Sequence, residues 1–236
     1  MRIVISSGHG LHVQGAVGLI NERDENRRVV GRVSEILRGA GVAVVEFHED
    51  TAKNGNDNVN NLWRFHNTQT RDLDVQIHFN ASSGTQDAGI GVETLHLAGD
   101  PHTHELAARV SKAISDVSGL ILRRGDGTWA RTTEVGFLRF TNRPAILPEV
   151  CFVNSHTDVR LYQEHFEEIC RAIAESISGR SIPVVPPQQQ DHWAEPAFQY
   201  LLNMGIHINE RRFDDPVTRG ELFAMLERYD RSYRID

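Results

Sequence analysis

The chain has 236 residues, 39% of them hydrophobic and 24% charged, enough for one sizeable α/β core with a small appendage. Its formal charge is −7, from 25 basic and 32 acidic residues, so no cationic field is available to neutralise a run of phosphates and nucleic-acid binding is disfavoured. No stretch approaches the roughly 18–20 apolar residues of a membrane span, which argues against insertion into a bilayer.

The first residues run directly into Arg2-Ile3-Val4-Ile5 without the apolar core of a signal peptide. The expectation is a protein made in the cytoplasm, whose action elsewhere needs release by another agent. Cys151 and Cys170 are too few for a disulfide framework and are not spaced as metal ligands. Both are expected to be small buried hydrophobes, with a mutual disulfide as the alternative.

Arg2 to Ser6 is a short apolar strand that ends in Ser6-Ser7-Gly8-His9-Gly10. Gly8 and Gly10 permit tight turns that let His9 reach over the sheet edge. A phosphate loop is discounted, because the spacing has neither the lysine nor the glycine pattern it needs. From Asn21 to Gly41 the period becomes helical, with Val29, Val30, Val33, Ile36 and Leu37 at three- and four-residue steps and Gly39 and Gly41 as stops. Glu22, Asp24 and Glu25 open this helix, where exposed N–H groups stabilise carboxylates whatever else those carboxylates do.

Val42 to Phe47 reads as the second strand and Asp57 to Thr70 as a helix carrying Val59, Leu62, Trp63 and His66 on one face. The central strand is Val75-Gln76-Ile77-His78-Phe79, which delivers His78 and Asn80 at its carboxyl end, where open α/β sheets place their chemistry. A lone histidine there is often only a hydrogen-bonded, half-buried ring. A Ser/Gly-rich loop over 82–91 leads into the alternating strand Gly91 to Leu97, with Glu93 and His96 on opposite faces. A helix is expected over 102–118. Loop-like sequence follows over 119–133 around Arg123-Arg124-Gly125-Asp126-Gly127 and suits one wall of a substrate groove.

Pro144 to Phe152 is a buried strand with Glu149 among apolar residues. An unpaired buried carboxylate is expensive, so Glu149 needs a partner or a raised pKa. One helix over 158–178 closes the domain, with Leu161, Phe166, Ile169, Ile173 and Ile177 as its stripe. Prolines and glutamines over 182–190 form a linker, and the last 45 or so residues carry the apolar content of two or three short helices.

A catalytic zinc takes three His or carboxylate ligands and keeps a fourth position for water. His9, one acid of the first helix and His78 meet that count if the first and third strands lie side by side. Glu149, at a neighbouring strand end, is then placed to take a proton from the water and pass it to a leaving amine.

In order, Ser6-Ser-Gly-His-Gly10, Asn21-Glu-Arg-Asp-Glu-Asn26, Gln76-Ile-His-Phe-Asn80, Gly91-Val-Glu93 and Pro144-Ala-Ile-Leu-Pro-Glu-Val-Cys-Phe-Val-Asn154 resemble the signature blocks of the zinc-dependent N-acetylmuramoyl-L-alanine amidases of the amidase-3 type. The resemblance covers roughly residues 1–178. It implies an α/β fold with a mostly parallel twisted sheet and helices on both faces, followed by a small all-α C-terminal domain. It also implies one zinc ion per catalytic domain on His9, Glu22 and His78, and Glu149 as the catalytic glutamate. Glu22 rather than Glu25 takes the ligand role, because counting from Glu22 puts Asn26, Val29, Val33, Leu37 and Gly41 on the family's helix pattern. Ser6-Ser7 departs from the family's frequent Asp-Pro. Candidate substrate contacts are Asn80, Glu93 and Arg139.

Asp191 to Phe198, Met204 to Ile206 and Phe213 to Phe223 resemble a single S-layer-homology unit, a motif associated with cell-wall polymers. The expected organisation is a catalytic domain over 1–179, a linker over 180–190 and a helical wall-binding or dimerisation domain over 191–236. The whole is similar to a phage endolysin that reaches bacterial peptidoglycan after release, and a bacterial mother-cell autolysin would look similar. The alternatives are a zinc carboxypeptidase or deacylase on another substrate and a non-catalytic wall-binding protein.

Overall fold

The computed structural model describes residues 1–183 and, beyond them, only helical residues at 197–198, 200–201, 222–223 and 226–227. The expected linker and the S-layer-like segments lie almost entirely outside the described residues. The chain divides into two compact units, Met1–Ile182 and Pro183–Asp236.

In the first unit, β1 (Arg2–Ser7), α1 (Glu22–Gly39), β2 (Ala43–Phe47), α2 (Gly55–Thr68), β3 (Leu73–Asn80), β4 (Glu93–Leu97), α3 (Pro101–Ser118), β5 (Thr128–Arg131), α4 (Gly136–Phe140), β6 (Ala145–Phe152), α5 (His156–Glu164) and α6 (Phe166–Ser178) follow one another. The strands form one sheet in the order β2-β1-β3-β6-β4-β5. Strands β2, β1, β3 and β6 run parallel, β4 is antiparallel to β6, and β5 is parallel to β4.

Side chains alternate between the faces of this sheet. Ile3, Ile5, Val75, Ile77, Ile146 and Val150 point to one face, where Val33 and Leu37 of α1, Val110 and Ile114 of α3 and Ile173 of α6 join them in the main core. Leu95, Ala145 and Leu147 point to the other, where Phe137 and Leu138 of α4 make a smaller cluster with Trp63 of α2 packed against it.

Three features depart from the sequence reading. The stretch expected to be loop over 119–133 contains β5, a four-residue edge strand whose register on β4 runs from Thr94↔Thr128 to Leu97↔Arg131. So short a strand is fixed by its partner rather than by its own preferences. The five-residue α4 is too short to show a helical period. The single helix expected over 158–178 is two, because His165 at φ −117°, ψ 26° leaves the helical region while the apolar stripe continues on either side. Both cysteines are free and buried.

Beneath the second face lies a fully buried polar network. His66 of α2 bridges Asp74 of β3 (Nδ1 to Oδ1, 2.8 Å) and Ser6 of β1 (Nε2 to Oγ, 2.9 Å). Arg71 grips the same carboxylate through Nε at 2.7 Å and Nη2 at 2.8 Å. Removing the carboxylate strands a buried guanidinium, so Asp74→Ala is expected to lower the stability of the fold by about 3–5 kcal/mol. Urea unfolding followed by circular dichroism measures this, and an unchanged midpoint would contradict the account.

Candidate metal centre and active site

Parallel pairing of β1 with β3 places Ser7 opposite Ile77, so the loop after β1 and the end of β3 share one edge of the sheet. His9 is on that loop and His78 is one residue from the end of that register. Asn21 caps α1, its side chain accepting from the Arg23 N–H at 3.0 Å, and this fixes Glu22 as the first residue of the helix.

The carboxylate of Glu22 is buried and sits between the two imidazoles. Its Oε2 lies 3.2 Å from His9 Nε2 and its Oε1 lies 2.9 Å from His78 Nδ1. Backbone N–H groups of Ala16 and Phe79 also donate to it, at 2.7 and 3.2 Å. Burial alone pushes this carboxyl up, but the hydrogen bonds from His78 and His9 outweigh that and hold it well below the usual carboxylate range. Burial lowers His78, against the opposing pull of Glu22, and keeps its ring neutral as a ligand must be.

Ligand atoms of these three residues all lie within 4.8 Å of one another, the only such His, Cys, Asp or Glu group among the described residues. Donors held at about 2.0–2.1 Å around a tetrahedral ion stand about 3.3 Å apart, close to the 3.2 and 2.9 Å between the Glu22 oxygens and the two imidazoles. Glycine is required around them. A Cβ on Gly15 would lie 2.4 Å from Glu22 Oε2, and one on Gly8 would lie 2.2 Å from the His78 ring. The other acids of the helix are engaged elsewhere: Asp24 pairs with Arg23, and Glu25 accepts from the Tyr162 hydroxyl at 2.6 Å and pairs with Arg28.

The register carries the site sideways. His78 is opposite Glu149 across β3 and β6, and Glu149 is opposite Glu93 across β6 and β4. The three side chains stand in a row on the second face. Oε2 of Glu149 has no hydrogen-bond partner among the described residues. Burial first, and then the negative charges of Glu22 and Glu93, push this carboxyl well above its ordinary value. A carboxylate so placed takes up a proton readily and can give it back, as a general base that becomes a general acid must.

Asn80 joins the row by donating from Nδ2 to Glu93 at 3.2 Å. Arg139 does not join it: the residue is exposed on α4 with its guanidinium 4.9 Å over the ring of Phe140. The arginines that do reach the row are Arg123 and Arg124, both ion-paired to Glu93. The Arg-Arg-Gly-Asp-Gly cluster was visible in the sequence as a groove wall, but nothing local tied it to Glu93. Beside the imidazoles a cleft of about 220 Å³ is walled by His9, His78, Asn58, Val59, Val135 and Leu147, among others.

The sequence model of one protein family, described as N-acetylmuramoyl-L-alanine amidase of the Amidase_3 type, matches residues 3–179. The chain belongs to this family. Among solved structures, the catalytic domain of the CD27L endolysin targeting Clostridia difficile is similar in fold, with a TM-score of 0.67 at 24% identity over 78% of this chain and 99% of that one. The N-acetylmuramoyl-L-alanine amidase AmiC2 of Nostoc punctiforme gives a TM-score of 0.61 at 28% identity over 76% of this chain and 96% of its own. An uncharacterized protein of Clostridium perfringens (strain 13 / Type A) is 28% identical over 198 residues, 83% of this chain. The match spans 57% of that relative's length. The amidase family's match ends at residue 179, next to the boundary of the first compact unit at Ile182.

The raised Glu149 carboxyl has a consequence for stability. A carboxyl whose folded pKa exceeds its unfolded value binds more protons when folded, so its ionisation weakens the fold as pH rises through the interval between the two. Glu149→Gln is therefore expected to raise the melting temperature of metal-free protein at pH 8 by about 3 °C, with little change at pH 4. Calorimetry at the two pH values tests this, and a lower melting temperature for the variant at pH 8 would contradict it.

Proposed function

We propose that this family member is a zinc-dependent peptidoglycan hydrolase that cleaves the amide between the lactyl group of N-acetylmuramic acid and the first L-alanine of the stem peptide. The observation that carries the reading is the sharing of one carboxylate, Glu22, by two imidazoles at 2.9 and 3.2 Å, with Glu149 next to His78 in the sheet register. Zinc bound by His9, Glu22 and His78 would polarise the scissile carbonyl and lower the pKa of the attacking water.

The chain's own groups supply the rest. Glu22 accepts from two backbone N–H groups that favour its ionised form, so it offers a full negative charge to a cation. Neutral His78 offers a lone pair. Glu149 receives the proton of the attacking water on its carboxylate and delivers it to the departing L-alanine nitrogen, so that acid and amine form with no net change in the enzyme. Burial, and then the charges of Glu22 and Glu93, raise the Glu149 carboxyl and make it a stronger base for the first transfer.

Products decide between this reading and a carboxypeptidase. The full chain acting on soluble muropeptide is expected to liberate new L-alanine amino termini, seen by amine labelling and mass spectrometry, whereas release of a C-terminal amino acid would refute it. Glu149→Ala should lower kcat by about 10²–10⁴-fold with zinc content unchanged. His78→Ala should lose the metal as well as the activity. A Glu149→Ala variant that turns over muropeptide like its parent would remove Glu149 from the mechanism.

The neighbouring charge also sets the pH dependence. After burial and Glu22, Glu93 raises the Glu149 carboxyl, and the base must be ionised to act, so Glu93→Gln should move the acid limb of kcat/KM toward lower pH. A limb that stays in place or moves upward would show that Glu93 does not act on Glu149.

A further inference from the structure

The row of His78, Glu149 and Glu93 continues beyond Glu93 into cationic side chains that the hydrolytic step does not use. The Glu93 carboxylate is fully buried and faces Arg123 Nε at 3.0 Å through Oε1 and Arg124 Nε at 2.5 Å through Oε2. One buried negative charge thus meets two guanidiniums, and a net positive charge remains one strand away from Glu149.

Arg124 is the open member of the pair, with 39% of its side chain exposed. Its bond to Glu93 uses Nε, and its terminal nitrogens donate to no described residue. Its backbone sits at φ 52°, in the left-handed region that residues with a side chain seldom occupy. The guanidinium lies 4.0 Å over the ring of Trp129 on β5, and Arg131 lies 4.2 Å over the same ring. An arginine fixed by a carboxylate at one edge and an indole on its face, with its fork left free, is preorganised to receive a planar anion.

We propose that Arg124, seated on Trp129, is the subsite for the α-carboxylate of the second residue of the stem peptide, and that the enzyme thereby selects acidic stems over amidated ones. The inference rests on the amidase reading. The reach agrees with it: neighbouring strands place Glu149 and Glu93 about 4.8 Å apart, with Arg124 one ion pair farther. A carboxylate two residues from the scissile carbonyl stands about 7 Å away along an extended peptide. A charge-assisted fork-to-carboxylate contact distinguishes that group from a carboxamide, which carries no charge and cannot accept at both heavy atoms.

The test uses the zinc-loaded full chain with Glu149→Gln, which prevents turnover, and two probes: N-acetylmuramoyl-L-alanyl-γ-D-glutamyl-L-lysine and the same molecule with the glutamyl α-carboxylate amidated. Titration calorimetry is expected to show the free acid binding at least about tenfold more tightly. Adding Arg124→Gln should bring the two affinities to within about twofold of each other, and Arg124→Lys should keep part of the preference. Equal affinities without the Arg124 change, or a preference that survives Arg124→Gln, would overturn the proposal. If Arg124→Gln does not fold, the ratio measured without it decides, since comparing ligands needs no substitution at Arg124.

Cleavage of both probes by the unaltered enzyme with equal kcat/KM would overturn this subsite alone and leave the amidase reading intact. Failure to bind or cleave either probe would overturn both.

Discussion

A single carboxylate held between two imidazoles is the constraint on which the rest of the first unit depends. Glu22, His9 and His78 are separated by 13 and 56 positions in the chain, yet their donor atoms meet because β1 and β3 are parallel neighbours and α1 begins above them. The convergence leaves no room for side chains nearby, which is why Gly8 and Gly15 stand against the His78 ring and the Glu22 carboxylate. Burying this carboxylate is tolerable because two ring nitrogens and two backbone N–H groups surround it. The same surroundings make it a permanent anion aimed at a position that a divalent cation fits.

The sheet then spreads charge sideways in a fixed order. Glu149 stands between His78 and Glu93 and is the least compensated of the acids, since it has neither the imidazoles of Glu22 nor the arginines of Glu93. Its raised pKa follows from that position: burial disfavours its charge and two neighbouring carboxylates repel it. The fold thereby accepts a destabilising group, and such groups commonly gather at functional sites. Antiparallel β4 makes the arrangement possible, because it brings the first residue of its strand to the level where β3 and β6 end.

Much of this was legible in the sequence because the informative residues sit at strand ends and helix starts, which local patterns mark well. The apolar run ending in Gly8-His9-Gly10, the strand ending in His78 and the acid-opened helix each announce themselves by periodicity and punctuation, and Glu149 stands out as a charge inside an apolar strand. The choice of Glu22 over Glu25 needed the family's helix pattern, since both are acids of one first turn; in the fold they separate because Tyr162 and Arg28 take Glu25. The place of Arg139, on a five-residue helix, could not be read from periodicity. Arg124 was legible as part of a groove wall, but its tie to Glu93 was not: the partner is buried 31 positions away, and such long-range pairing has no local signature. The break at His165 was invisible because the apolar stripe runs through it.

The central claim is that two imidazoles and one carboxylate hold a single zinc ion. X-ray absorption at the zinc edge of the purified full chain, loaded with one equivalent of metal, tests it most directly. The account predicts a shell of nitrogen and oxygen at about 2.0–2.1 Å with the multiple scattering of two imidazoles. A sulfur shell near about 2.3 Å, or a shell with fewer than two imidazoles, would contradict it.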